Sequence, residues 1–505
     1  MPVAPSGRPD AAAGRPTHPA LFQLNLRLHL RELEARLGRP ATLDDIPDAT
    51  LDLWAGQGLD WIYALGAWST GAAGRQASRT RPEWRQAFEA LLPDLQERDI
   101  CGSAFAITAY AAPAATGGDA ALMRMRRRLH ARGLRLMLDF VPNHTALDHP
   151  WVWERPELFL QGSEALLDRE PGNYRRVVTA RGAMVLAHGR DPYFPAWPDT
   201  FQLDYGNPAT QAAMRQELRA AASLCDGLRC DMAMLVLPEV FRRSWGHAAE
   251  PFWPEAIRMV REQNTAFVFM AEVYWGLEGE MLRQGFDYAY DKTLYDRLLA
   301  GDARGVRDHL RADAAWQSHL VRFLENHDMP RVAEILSWEA HQAAAVVTFT
   351  APGLRFFHQG QIEGRRKPVP IHLDRGPAEA ADPAIAAFYE RLLTVLRRPL
   401  LRDGAWRLLE PAPAWEGNPT HDGFIAGLWM GSGSERLLVA VNLQPHRAQC
   451  RVRLPLPGLV GRPVDLVDLL GPVRYRRAGD ELNGPGLYLD LPPHGYHAFA
   501  IEAAA

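Results

Sequence analysis

Four apolar runs in this chain end in residues able to do acid, base or nucleophilic work: LDFVPNH, GLRCDMA, FMAEV and FLENHD. In order they supply Asp139, Asn143 and His144; Arg229 and Asp231; Glu272; and Asn326, His327 and Asp328. An apolar run that closes on a polar group reads as a buried parallel strand, and in a parallel barrel all such ends meet at one mouth. Carboxylates gathered there suit substitution at a sugar's anomeric carbon with retention, which needs two carboxyl groups roughly 5 Å apart. Asp231 is the expected nucleophile. Arg229, two residues earlier on the same strand, points to the same face, and a neighbouring guanidinium favours the ionised carboxylate. Glu272 follows FVFMA and is the expected acid/base, its pKa raised by partial desolvation. Asp328 is the expected electrostatic stabiliser of positive charge in the transition state, with His144 and His327 as donors to sugar hydroxyls.

The elements that must position these groups follow from the periodicity. From Leu21 onward, apolar runs of strand length alternate with helix-period stretches, the pattern of a parallel α/β fold. Eight runs qualify as strands: LFQLNLRL, LDWIYALGAW, LRLMLDFV, GLRCDMAM, AFVFMAEVYW, FDYAYD, HLVRFLENHD and GLRFFHQG. Between the second and third, ALMRMRRRLHARG reads as a helix stopped at Gly133. Eight strands with intervening helices predict a (β/α)8 barrel over 19–144 and 225–403. The long connection 145–224 predicts an inserted subdomain beside the mouth. Residues from 404 to 505 give short alternating runs separated by Gly, Pro and Asn, which predict a C-terminal antiparallel β-sandwich. Residues 1–18 are rich in Pro, Ala and Gly and read as a loose tail.

In strand context and order, the four stretches resemble the signature regions of the α-amylase family, glycoside hydrolase family 13. Seven positions carry the resemblance: Asp139, His144, Arg229, Asp231, Glu272, His327 and Asp328. It implies an aromatic ring, Phe105, under the sugar being cleaved. It implies substrate contacts from His144, Arg229, His327, Asp139 and Asn326, and at Asn143 a residue that binds structural calcium in many relatives. Asp139 has a second expected role, holding Arg229 or a backbone amide beneath the nucleophile. No cofactor is required for the chemistry.

Three departures from the family pattern bear on substrate. Met234 and Leu235 stand where many relatives carry Lys-His, a difference that leans toward transfer rather than hydrolysis. Gly102 stands three residues before Phe105, where several exo-acting relatives have Asp. Two Gly-containing loops are rich in arginine: STGAAGRQASRTR, with Arg75 and Arg79, and QGQIEGRRKP, with Arg365 and Arg366. Guanidinium groups on such loops predict an anion site for a phosphorylated donor or acceptor, although of 56 basic residues only Lys292 and Lys367 are lysine, and an arginine-biased composition weakens that reading. Tyr274 and Trp275, next to the acid/base, are the expected lining of the leaving-group site, and Tyr193 and Trp197 lie in the insert.

Bulk properties set limits on function. A net charge of −4 argues against nucleic acid or an acidic membrane as partner. No run long enough to span a bilayer is present, and no secretory h-region opens the chain. Four cysteines are too few for a disulfide framework in a chain of this length, so the cytoplasm is the expected compartment. The expected activity is retaining hydrolysis of α-glucosidic bonds in gluco-oligosaccharides. The alternatives are an α-glucan or disaccharide transglycosylase, with an anionic donor or acceptor, and a non-catalytic binding member.

Overall fold

The computed structural model describes residues 15–503. Eight parallel strands close into a barrel: β1 (Ala20–Asn25), β2 (Trp61–Leu65), β3 (Arg135–Phe140), β4 (Gly227–Cys230), β5 (Val268–Ala271), β6 (Tyr288–Tyr290), β7 (Leu320–Arg322) and β8 (Leu354–His358). Each strand pairs with its sequence neighbours, and β1 closes the ring against β8. The strands are short and buried on both faces, as a barrel jacketed by helices requires. Local signals set the helix ends. Asn207 caps the helix Pro208–Ser223 by accepting from the Ala209 N–H, and Pro208 fills its first position. The helix Gly118–His130 is followed by Gly133 at φ 75°, where the chain reverses into β3.

Two long excursions rise at the C-terminal ends of the strands. Between β2 and the helix Gly118–His130 lie two small helices, Ala72–Thr80 and Pro82–Leu91, and a short strand pair, Ser69–Thr70 with Ile107–Ala109. After β3 comes the insert: strand His144–Ala146 pairs with Thr200–Gln202, and Tyr174–Thr179 forms a hairpin with Gly182–Ala187. The helix 208–223 takes the ordinary barrel position before β4, so the excursion spans 144–207 rather than the expected 145–224.

The C-terminal part forms a six-stranded and a three-stranded antiparallel sheet around an apolar core that includes Phe424, Leu438, Val452, Leu466, Leu489 and Phe499. The other face of the six-stranded sheet, with Trp429, Leu437 and Val439, packs into the barrel's own hydrophobic core. Trp429 Nε1 donates to the Thr350 carbonyl at 2.8 Å, fastening sheet to barrel helix.

The loose-tail expectation needs correction where the structure describes it. Residues 1–14 lie outside the described residues, but 15–18 are fastened to the barrel floor. The Thr17 N–H donates to Asp403 Oδ1, the His18 N–H to the Arg402 carbonyl, and Arg15 lies over the Trp61 ring. Among the described residues no helix is long and apolar enough to cross a membrane.

Candidate active site

The strand ends gather the acids around one buried arginine. Arg229 sits in β4 opposite Asp139 of β3, fully inaccessible to solvent. Its Nη1 lies 2.6 Å from Asp231 Oδ1 and 3.3 Å from Asp139 Oδ1, and its Nη2 lies 2.6 Å from Glu272 Oε2. Asp231 and Glu272 each fall one residue past a strand end. Their N–H groups continue the ladder, to the Phe140 carbonyl at 2.8 Å and the Cys230 carbonyl at 3.1 Å. One guanidinium therefore bridges both carboxylates.

The electrostatic bias differs from the expected one. Burial pushes Asp231 well above the usual carboxylate range; Arg229 pulls it back, while the charges of Glu272 and Asp139 push it further up. Three donors converge on Glu272. Besides Arg229, the Met232 N–H reaches Oε2 at 2.7 Å and the Tyr274 hydroxyl donates to Oε1 at 2.9 Å. The resting arrangement thus surrounds Glu272 with partners and crowds Asp231 with like charge. Met232 makes its contact from a left-handed backbone, φ 40°, and Trp275 shares that region at φ 65°. Non-glycine residues there cost on the order of 1–2 kcal/mol each, and such strain concentrates at functional sites.

Asp328 stands at the rim with 44 % of its side chain exposed. Desolvation by its surroundings raises its pKa, a push that this exposure moderates. His327 Nε2 lies 3.0 Å from Asp328 Oδ2, and the Gln23 amide lies 3.0 Å from His327 Nδ1. A Gln23 donor assigns the proton of the neutral ring to Nε2, facing Asp328. Burial, reinforced by Arg229, lowers the pKa of His327 to about 3, so the ring is neutral at working pH. Phe105 packs 5.3 Å from the His327 ring and 5.2 Å from the Arg229 guanidinium carbon, placing an aromatic side chain beside the acids. His144, also neutral, is buried near Trp197 and hydrogen-bonds the Phe105 backbone.

Several expected roles are corrected by these contacts. Asp139 and Arg229 lie beneath the site rather than against substrate. Asp139 Oδ1 accepts from Tyr63 at 2.5 Å as well as from Arg229, and burial raises its pKa to about 6. Asn326 uses Oδ1 to cap its own turn, accepting from the N–H groups of Asp328 and Met329. Met234 and Leu235 are buried.

Three of the four loop arginines are engaged within the protein. Arg365 pairs with Glu32 at 3.0 Å, Arg366 donates to the Ala333 carbonyl, and Arg79 donates to the carbonyls of Glu97 and Ile100. Arg75 alone of the four is left exposed without a partner. Two residues escaped the sequence reading: Tyr63 of β2 and Tyr290 of β6, which flank Asp139 and Arg229. Their signal was the inward alternation of WIYAL and YAY.

Asn143 does not fit calcium. Its backbone carbonyl and Oδ1 both accept from Gln202 Nε2, at 2.9 and 3.0 Å, and the same nitrogen reaches the Leu203 carbonyl at 3.0 Å. A donor nitrogen stands where a cation would gather those three oxygens. Among the described residues no group of three or more His, Cys, Asp or Glu side chains is arranged for a metal. Chelator is expected to shift the melting temperature by less than about 1 °C. Gln202→Ala is expected to cost about 2–3 kcal/mol, because buried acceptors lose their donor. Calorimetry with and without EDTA checks both.

Asp199 gives a pH-dependent test. It is buried in the insert with Oδ2 unpartnered, and burial raises its pKa to about 6. A carboxyl whose folded pKa is raised carries no penalty below the unfolded value near 3.8, and a growing one as pH rises through about 6. Asp199→Asn is therefore expected to gain roughly 2–3 kcal/mol at pH 7.5 relative to its effect at pH 3.5. Urea denaturation at the two pH values measures the difference.

No protein-family model matches the chain. It is 26 % identical over 245 residues to the α-amylase MalA of Haloarcula japonica, covering 47 % of this chain and 33 % of that protein. It is 24 % identical over 283 residues to a trehalose-6-phosphate hydrolase of Escherichia coli, covering 47 % and 51 %. The chain thus spans between a third and about half the length of these curated relatives. Its fold matches a solved maltogenic α-amylase, AmyB of Thermotoga neapolitana, with a TM-score of 0.69 at 19 % identity over 96 % of this chain and 99 % of that one. Sequence similarity to an α-amylase, the matching fold and the seven signature residues at their strand ends agree. This chain resembles the α-amylase family in sequence, in fold and in these residues. Against that resemblance two features stand out: the acids share one arginine, and the Gln202 amide nitrogen occupies the oxygens around Asn143.

Proposed function

We propose that this α-amylase-family protein hydrolyses α-glucosidic bonds of uncharged α-glucosides with retention. The observation that carries the reading is the single Arg229 guanidinium bridging Asp231 and Glu272. In the first step an Asp231 oxygen attacks the anomeric carbon while Glu272 gives its proton to the departing glycosidic oxygen. This requires the pair's proton on Glu272 and Asp231 bare. Asp328, at the rim, stabilises the positive charge that develops on the sugar. Water then enters where the leaving group was, gives a proton to Glu272, and its oxygen displaces Asp231 from the anomeric carbon. These residues supply every proton and electron pair the reaction needs, so no cofactor enters.

Hydrolysis is proposed over transfer because the curated relatives are an α-amylase and a trehalose-6-phosphate hydrolase. The thiols of Cys101, Cys225, Cys230 and Cys450 are all free, which supports a reducing compartment. Proton NMR during cleavage of maltoheptaose and 4-nitrophenyl α-glucoside tests the reading. The α-anomer is expected to appear first; a β-anomer first, or no cleavage, overturns it.

A further inference from the structure

A cavity of about 1330 Å³ is lined by Trp275, close in sequence to the acid/base Glu272. It begins at Trp275, three residues past Glu272, and runs between the helices Pro238–Trp245 and Glu278–Arg283 to Trp316. Trp275 is 39 % exposed and meets the Tyr193 ring edge-on at 4.9 Å. Its left-handed backbone, followed by Gly276 at φ 73°, turns the chain at the cavity's entrance. At the far end Trp316 lies close over Gly279: a Cβ there would come within 3.3 Å of the indole. Much of the wall between is apolar, from Leu237, Val240, Pro251 and Leu277.

Charge and hydrogen bonding narrow what could occupy this space. Glu239, Glu278, Glu280 and Asp313 face it against Arg243 and Arg283, leaving an excess of two negative charges. Most of these polar groups are already engaged. Arg283 pairs with Glu280, Glu239 with Arg242, Arg243 donates to the Tyr193 hydroxyl, and Asp313 caps the Ala315 N–H. An anionic leaving group is repelled, and a sugar's many hydroxyls find few free partners.

We propose that the leaving-group half of the site takes an uncharged, apolar aglycone, an aryl or medium-chain alkyl group, and this rests on the α-glucosidase reading above. The reaction breaks the bond from the anomeric carbon to the glycosidic oxygen. Water supplies the hydroxyl of glucose and one proton, and the aglycone leaves as its alcohol.

The test compares kcat/KM for methyl, hexyl and octyl α-glucoside and maltotriose in wild type, Trp316→Ala and Ala312→Glu. Octyl is expected to exceed methyl by at least about tenfold, since buried methylene groups add binding that the transition state retains. Both variants are expected to abolish that gain while leaving methyl α-glucoside unchanged. Ala312 is exposed at the cavity wall, so its variant keeps the test valid should Trp316→Ala fold poorly. Octyl no better than methyl, or a gain that both variants keep, overturns the proposal. Binding of 2-naphthol to Asp231→Asn, followed by tryptophan quenching, separates the two readings. Saturable quenching lost in Asp231→Asn/Trp316→Ala, with no glucoside cleaved by wild type, would sink the hydrolase reading and leave the apolar site standing. Cleavage of maltotriose without saturable quenching would do the reverse.

Discussion

Asp231→Ala is expected to lower kcat on α-glucosides by on the order of 10⁴-fold or more, as loss of a nucleophile does, without loss of fold. Asp231 is buried and crowded by two other acids, so removing its charge relieves a cost. The variant should therefore melt at or above the wild-type temperature at pH 7.5. Azide is small enough to occupy the space left by the carboxylate. It is expected to restore turnover and yield the β-glycosyl azide, because it attacks from the face opposite the leaving group. An α-azide, or activity that survives the substitution, would remove Asp231 from the mechanism. Tyr274→Phe in the same assay should leave azide rescue intact, since it alters only a donor to Glu272.

Arg229→Leu is expected to have the largest combined effect on activity and stability. The substitution leaves Asp139, Asp231 and Glu272 buried together without a cation, a loss in the range of about 3–5 kcal/mol at pH 7.5. The pH dependence has a definite sign. Asp139 titrates at about 6 even with Arg229 present, and without it the acids hold protons to still higher pH. Acids raised in the folded state destabilise it as pH rises through their folded pKa, so the deficit should shrink as pH falls from 7.5 toward 4.5. Arg229→Lys keeps a charge but not the planar fork, and should fall between the two in activity. An equal deficit for Arg229→Leu at both pH values would contradict the shared-cation account.

The reactive groups were legible because their information is local. Arg229 and Asp231 are two residues apart on one strand, and each acid ends an apolar run, so face and position follow from strand geometry alone. The partners of those groups were not legible. Nothing in the spacing says that Arg229 reaches Glu272, that Tyr63 closes on Asp139, or that Arg365 is paired with Glu32, 333 residues away. The excursion before Phe105 was missed for a different reason. Its helices, Ala72–Thr80 and Pro82–Leu91, are short and amphipathic, and the first lies in STGAAGRQASRTR, which reads as an arginine-rich loop. The Gln202 substitute for a cation was hidden because a glutamine in a β-rich segment carries no signal until its three acceptors converge.

The C-terminal sandwich has two apolar faces of different ownership. One encloses its own core, while the other, with Trp429 and Val439, completes the barrel's. It is therefore less an appended module than an outer wall shared by two rooms. A barrel cut free of it would present to water the face of the helix Trp338–Thr350 that now meets the sheet, and a sandwich borrowed from another chain would have to match that face residue by residue. Within this protein the two units are bound to change together.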